Sequence, residues 1–244
     1  MSLLKVEDLN DVYGQYLEKE GIKDYIDRSS GENSTWFSAS SAGHCYKKHK
    51  FKLLKTETDK FPVESLLKMR LGNLFHDDVQ KALIKYFKKG FISTEYLIEN
   101  EDMNVRGFID ILIIDSIIEV DDIKTISSYQ YRKKFGRKEN RDKVQSDKYE
   151  LQVGTYAVAM QKKLGREVNS MNIIYYKKDD STIKIVPVSH DYKEKALEYW
   201  DNVGKECKKE IDELVPGDYG IPFESWECKF CQYASKCNSP FKKK

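Results

Sequence analysis

Apolar residues recur along this chain with two different periods, and the switches between them lay out its elements. Between 62 and 89, Leu67, Leu71, Leu74, Phe75, Val79, Leu83, Tyr86 and Phe87 return at helical spacing. Pro62 suits a first helical turn, so a helix is predicted over that span. Three β-like runs come next, at about 92–99, 103–114 and 116–125, dense in Ile109, Leu112, Ile113, Ile114, Ile117, Ile118, Val120 and Ile123. Asp115-Ser116 between the last two reads as a hairpin turn. The pattern then predicts a helix over 145–163, strands over 171–177 and 182–188, and a long helix over 191–214. Upstream, 5–28 reads as an acidic amphipathic helix, 29–41 as a polar loop ending in helix-cap residues, and 41–55 as a short basic helix. No internal repeat is visible. The expected fold class is α/β, a mixed sheet flanked by helices. Its parts are an N-terminal helical region (1–61), a core (62–190) and a C-terminal helix with a cysteine-rich end (191–244), integrated as one domain.

Composition narrows this little. The 244 residues are 40% hydrophobic and 34% charged, and no stretch approaches the roughly 18 apolar residues of a membrane span. The first residues lack a secretory pattern, so a cytoplasmic protein without a membrane role is expected. In that setting five cysteines are better read as ligands or buried thiols than as disulfides. The net charge is only +2, but it is uneven. From Lys124 to Lys148 stand nine Lys or Arg against three acids, and Lys47, Lys48, Lys50, Lys52 and Lys55 form a second basic cluster. Such patches can hold a polyanion without a high overall charge. Tyr46, Phe51, Tyr129, Tyr131 and Phe135 interleave with them as candidate base-stacking rings.

The candidate chemistry lies in the middle of the chain. Gly72 and His76 share one face of the predicted 62–89 helix. A helical glycine costs about 1 kcal/mol against alanine, which is easiest to accept where something packs very close. Asp110 ends the run Gly107-Phe108-Ile109-Asp110 in one strand, and Asp122 lies near the end of the next. A hairpin about Asp115-Ser116 brings the two carboxylates near each other, an arrangement that is costly unless a cation or hydrogen bonds compensate. Mg²⁺ suits oxygen ligands. Lys124, two residues beyond Asp122, points to the same face and is available to orient a water and to stabilise phosphate charge. By alternation Asp121 and Glu119 face away, yet they remain alternatives to Asp122 as the second acid. Gln152 and Tyr156 share a helix face that can support the site.

A second constellation is Cys228-x2-Cys231-x5-Cys237, three thiols that need a fourth partner for zinc or for an iron–sulfur cluster. Cys45 and Cys207 are the candidates, and Cys207 falls inside the predicted long helix. Ligation by Cys45 would close nearly the whole chain into one loop.

The runs Leu-Gly-Asn-Leu-Phe-His, Arg-Gly-Phe-Ile-Asp, Asp-Ile-Lys-Thr and Leu-Gln-Val-Gly-Thr-Tyr, within about 70–160, resemble the PD-(D/E)XK nuclease superfamily in its RecB-like branch. The resemblance implies a restriction-endonuclease-like sheet. It implies that His76, Asp110 and Asp122 bind Mg²⁺ or Mn²⁺, that Lys124 supports the attacking water, and that Gln152 and Tyr156 brace the site. The single upstream cysteine with the downstream cluster resembles the CRISPR-associated iron–sulfur exonucleases (the fourth Cas family) and the AddB-type nuclease domain. The chain carries no phosphate loop and is too short for a helicase, which favours the stand-alone exonucleases. That likeness implies a [4Fe–4S] cluster held by Cys45, Cys228, Cys231 and Cys237, with zinc the alternative. It also implies DNA as partner, attacked from single-stranded ends, and CRISPR adaptation, recombination or repair proteins as associates. Two rival readings stay open at this stage: a non-catalytic iron–sulfur DNA-binding module, and a zinc-stapled endonuclease.

Overall fold

The computed structural model describes residues 36–60, 62–87, 90–137, 147–220 and 225–242, with helical positions between 12 and 19. The predicted helix over 5–28 and most of the predicted loop over 29–41 lie outside the described residues.

Six strands form one sheet: β1 (Phe37–Ser38), β2 (Ile92–Asn100), β3 (Val105–Ile114), β4 (Ile118–Ile126), β5 (Ser170–Lys177) and β6 (Ile183–Pro187). The helices are α1 (Tyr46–Leu53), α2 (Val63–Tyr86), α3 (Ser128–Phe135), α4 (Lys148–Leu164) and α5 (Tyr192–Glu206). The mixed α/β class and all five predicted strands are present. Pairing is antiparallel for β2–β3, β3–β4 and β5–β6, and parallel for β1–β3 and β4–β5.

Strand β3 organises the rest. Its pairing with β2 runs from Ile92–Ile113 to Asn100–Val105 and occupies one edge nearly end to end. A strand has only two edges, so β1 and β4 must share the other. β1 takes Val105 and Arg106, and β4 takes Ile111 to Ile114. Between them Gly107 to Asp110 have no paired residue on that edge. The hairpin thus forms about Asp115–Ile117 as expected, but its ladder stops one residue short of Asp110.

The two faces of the sheet follow from strand alternation. On β5, Tyr175 points into the face covered by α4, where Phe135 meets its ring edge-on at 5.1 Å. Tyr176 points to the opposite face, where Phe75 of α2 stacks on it at 3.7 Å. Gly72 is explained here: a Cβ at that position would stand 3.2 Å from Thr125 Oγ1 on β4. The close approach anticipated for this glycine is the seating of α2 on the sheet. α5 packs behind α4, and Trp200 Nε1 donates to Thr155 Oγ1 (2.8 Å), which itself donates to Leu151 O. The core lies between the sheet, α4 and α5, around Ile109, Leu112, Val153, Ala157, Ile173 and Trp200.

Three expectations are corrected. Phe37–Ser38 is a strand rather than loop, because Phe37 buries itself against His49 and Trp200. The long helix ends at Glu206 rather than 214, with turns beyond. Pro62 caps α2 from outside instead of opening its first turn. α3 was not anticipated; a capping box between Ser127 and Gln130 starts it.

Candidate active site and thiol cavity

Asp110 lies where both of its ladders lapse. Its β4 neighbour would be Asp122, but instead Asp110 Oδ2 accepts the backbone N–H of Ile123 at 2.7 Å. On the β2 side the rung that would join it to Glu95 is also missing, although Thr94 and Tyr96 on either side are paired. The carbonyl of Asp110 accepts from Gln80 Nε2 of α2 at 3.1 Å. His76, one turn earlier on α2, brings Nδ1 to 3.6 Å from Asp110 Oδ2, an ion-pair distance too long for a hydrogen bond.

Asp122 is fully buried (1% exposed). Its Oδ1 accepts from Gln152 Nε2 at 2.9 Å, and the same nitrogen lies 2.8 Å from the Tyr156 hydroxyl, to which it donates. Lys124 Nζ stands 2.6 Å from Oδ2 as an ion pair; beyond it that oxygen has no hydrogen-bond partner among the described residues. Lys124 Nζ also lies 5.1 Å over the Tyr149 ring. The structure therefore brings His76, Asp110, Asp122, Lys124, Gln152 and Tyr156 into one connected group. Asp121 points away, to Asn172 at 2.8 Å on the α2 face, as alternation required.

The electrostatics divide the carboxylates. Burial pushes Asp122 up to about 7, with Asp110 adding repulsion and Lys124 opposing both. Burial acts the same way on Asp110, but the His76 contact and Lys124 outweigh it and hold that carboxyl below its ordinary value. Lys124 would lose its proton on burial alone; the charges of Asp122 and Asp110 hold it on. Burial likewise opposes a charged His76, and Asp110 reverses the balance, raising it. Lys124 is thus a cation here, suited to stabilising negative charge rather than to acting as a base.

This donor set fits a hard divalent ion: two carboxylates that repel each other, one imidazole, and a buried carboxylate oxygen with spare acceptor capacity. Among the described residues no three such side chains already converge on one metal-sized point. Asp122 is instead engaged by Lys124 and Gln152, and Asp110 by Ile123 and His76.

The thiols occupy a different place. Cys45, Cys228, Cys231 and Cys237 all line one cavity of about 180 Å³, together with Lys48 and Lys148. Cys45 is the residue before α1, not within it, and Tyr46 N donates to Asp218 O at 2.9 Å to hold that end beside the C-terminal segment. Cys207 does not line the cavity; it caps α5, and its carbonyl accepts from Lys50 Nζ at 3.0 Å. Burial pushes the thiols of Cys45 and Cys231 up.

Of the five candidate stacking rings, two are core: Tyr46 stacks against Tyr199, and Phe51 against Tyr233. Tyr131 and Phe135 pack against the core, and Tyr129 alone of the five is well exposed, at 59%. Gln80, Glu95 and Tyr149 were missed by the sequence reading. Gln80 carried one available signal, a polar residue one turn beyond His76 on the buried side of an amphipathic helix.

A family model for the PD-(D/E)XK nuclease superfamily matches residues 79–238. The chain belongs to this superfamily. The match spans Asp110 through Cys237 and begins just after His76, so His76 rests on geometry alone. No curated protein matches in sequence. Among solved structures, one titled SSO0001 aligns at 15% identity and TM-score 0.57, over 94% of this chain and 97% of that one. Another, from Eubacterium rectale and titled as a candidate exonuclease, aligns at 16% identity and TM-score 0.50, over 88% and 92%. At such identities the likeness is one of fold, and it agrees with the restriction-endonuclease-like sheet of the superfamily. Among the described residues no helix is long and apolar enough to cross a membrane.

Proposed function

We propose that this protein is a divalent-metal-dependent deoxyribonuclease that degrades DNA from single-stranded ends, with a [4Fe–4S] cluster in its thiol cavity. The observation that carries the reading is the joining of Asp110, Asp122 and Lys124 by Ile123, Gln152 and His76 at the point where the β3 ladders lapse. His76, Asp110 and Asp122 would hold Mg²⁺ or Mn²⁺. When bound, the ion supplies a Lewis acid and a water of lowered pKa. Gln152, itself in contact with Tyr156, fixes the orientation of Asp122. Lys124 stays protonated and offers its charge to the phosphate oxygens. The Ile123 N–H and the Gln80 side chain orient Asp110 through its carboxylate and its carbonyl.

The cluster reading is supported by the shared cavity, which holds four thiols and leaves Cys207 out. Single-stranded substrate is supported by the exposed Tyr129, with Lys133 4.9 Å over its ring, on the basic helix directly after β4.

The test is cleavage of end-labelled linear single-stranded DNA by anaerobically purified protein with Mn²⁺, Mg²⁺ or EDTA, beside Asp110→Ala. Metal-dependent degradation that disappears in the variant is expected. A folded wild type that binds DNA but leaves it intact in every metal would overturn the enzymatic reading. Zinc without iron in the purified protein would overturn the cluster.

A further inference from the structure

Glu95 is the one strand residue other than glycine that has a left-handed backbone (φ +49°). A β-sheet offers that conformation no reward, and a side chain bearing a Cβ is strained in it. The strain falls on the rung that would pair Glu95 with Asp110. Every other rung from Ile92–Ile113 to Asn100–Val105 is formed, so the register is intact and one rung has been given up. Releasing that rung frees the Asp110 carbonyl, which would otherwise be engaged by β2. It is met instead by Gln80 Nε2 at 3.1 Å, and the same amide nitrogen reaches Glu95 Oε1 at 3.1 Å. Gln80 is the one described residue of α2 that is buried (6% exposed). The strained residue and the only deeply seated side chain of α2 thus converge on a single backbone group, that of Asp110.

We propose that Glu95 and Gln80 are positioning residues that hold Asp110 out of both β ladders, so that its carboxylate faces Asp122 and stays available to a divalent cation. This rests on the metal-dependent reading given above, but it concerns the geometry of one carboxylate and is measurable without cleavage. Were Asp110 zipped into the sheet on both edges, its backbone would follow the regular pleat. The Glu95–Gln80 link replaces that constraint with one made by side chains, which can set a different angle.

The test compares Glu95→Gly, Glu95→Gln and Gln80→Leu in the full-length protein. Mn²⁺ alone is titrated into the metal-free site by electron paramagnetic resonance, with Asp110→Ala as the blank. Thermal stability and steady-state kinetics on single-stranded DNA are measured alongside. Glycine relieves the backbone at a positive φ, so Glu95→Gly is expected to melt at or above the wild-type temperature. It is also expected to bind Mn²⁺ about tenfold more weakly and to lose a similar factor in kcat, with KM within about twofold. Glu95→Gln keeps an acceptor for Gln80 and should retain most of the affinity; Gln80→Leu should lose as much as Glu95→Gly. If Glu95→Gly is more stable with Mn²⁺ affinity and kcat unchanged, the left-handed residue is only a kink and the proposal falls. It falls equally if Glu95→Gln is as damaging as Glu95→Gly, because the carboxylate would then act through its charge. A wild type that binds Mn²⁺ in an Asp110-dependent way but never cuts DNA would sink the nuclease reading and leave this one standing.

Discussion

The carboxylate site and the thiol cavity are built on opposite plans. The first is local: Asp110, Asp122 and Lys124 lie within fifteen residues, and a β-hairpin plus one helix face fixes them. The second gathers Cys45 and Cys228–Cys237 from the two ends of the described chain, and turns and loops present them. In the first, each side chain is already bound to another. In the second, buried thiols are held in their neutral form until a metal replaces the protons. The lesson is that the two regions should fail differently. Damage to the first should remove chemistry and leave the fold, whereas damage to the second should loosen the fold and reach chemistry only afterwards.

The largest separation is expected from Lys124→Ala. Loss of a preorganised charge at the reacting centre is worth about 10³ in kcat. Circular dichroism and iron content should match wild type, because Asp122, already pushed up to about 7, can take a proton instead. An unfolded variant would break the comparison. Next, Cys45→Ser or Cys231→Ser should release iron and reduce stability by on the order of 3 kcal/mol, while Cys207→Ser keeps both. Metal analysis and urea melts decide this, and iron loss in Cys207→Ser would move the fourth ligand. Gly154→Ala probes the shared scaffold. A Cβ there would sit 2.2 Å from Tyr192 O, where α5 begins. Forcing α4 and α5 apart should cost roughly 2 kcal/mol and lower both regions together; a change in only one would show that they are less tightly joined.

The smallest effect concerns pH. His49 is wholly buried beneath Phe37 and Trp200, and burial, with Lys48 and Lys52 nearby, pushes it down to about 3. The unfolded chain takes up that proton near its ordinary value of 6.5, while the folded chain resists until about 3. Stability from this group is therefore complete above 6.5 and drains as pH falls through that window, by up to about 1.4 kcal/mol per pH unit. Urea midpoints at pH 7 and pH 5 should converge more for His49→Gln than for wild type; equal slopes would show that the imidazole is not a buried neutral base.

Much of the first region was legible in the sequence, because its residues are close in the chain and alternation on a strand dictates facing. Asp122 and Lys124 on one face, with Asp121 on the other, follow from counting by two. The lapse of both ladders at Asp110 was not legible: it depends on a backbone angle at Glu95 and on a Gln80 amide from another element. β1 escaped because two residues carry no period. α3 escaped because its charge masked its packing, although Ser127 and Gln130 spelled a capping box. In the second region the four thiols could be named, but their cavity could not be found, since only tertiary closure brings Cys45 to Cys231. The stacking role suggested for Tyr46 and Phe51 failed for the same reason: a ring beside lysines reads the same whether it points outward or inward.

The stitching between the two ends also carries a consequence for how the protein comes into being. Tyr46 bonds to Asp218, and Asp59 to Gln232, across more than 170 intervening residues. A chain leaving the ribosome makes α1 early, yet the partners of that segment are among the last residues translated. The sheet can complete itself while synthesis continues, but the layer bearing Cys45 must wait, because contacts so distant in sequence form late. Until then a thiol and a basic helix stand unprotected, so this protein depends on its final few dozen residues to finish a structure begun near its start.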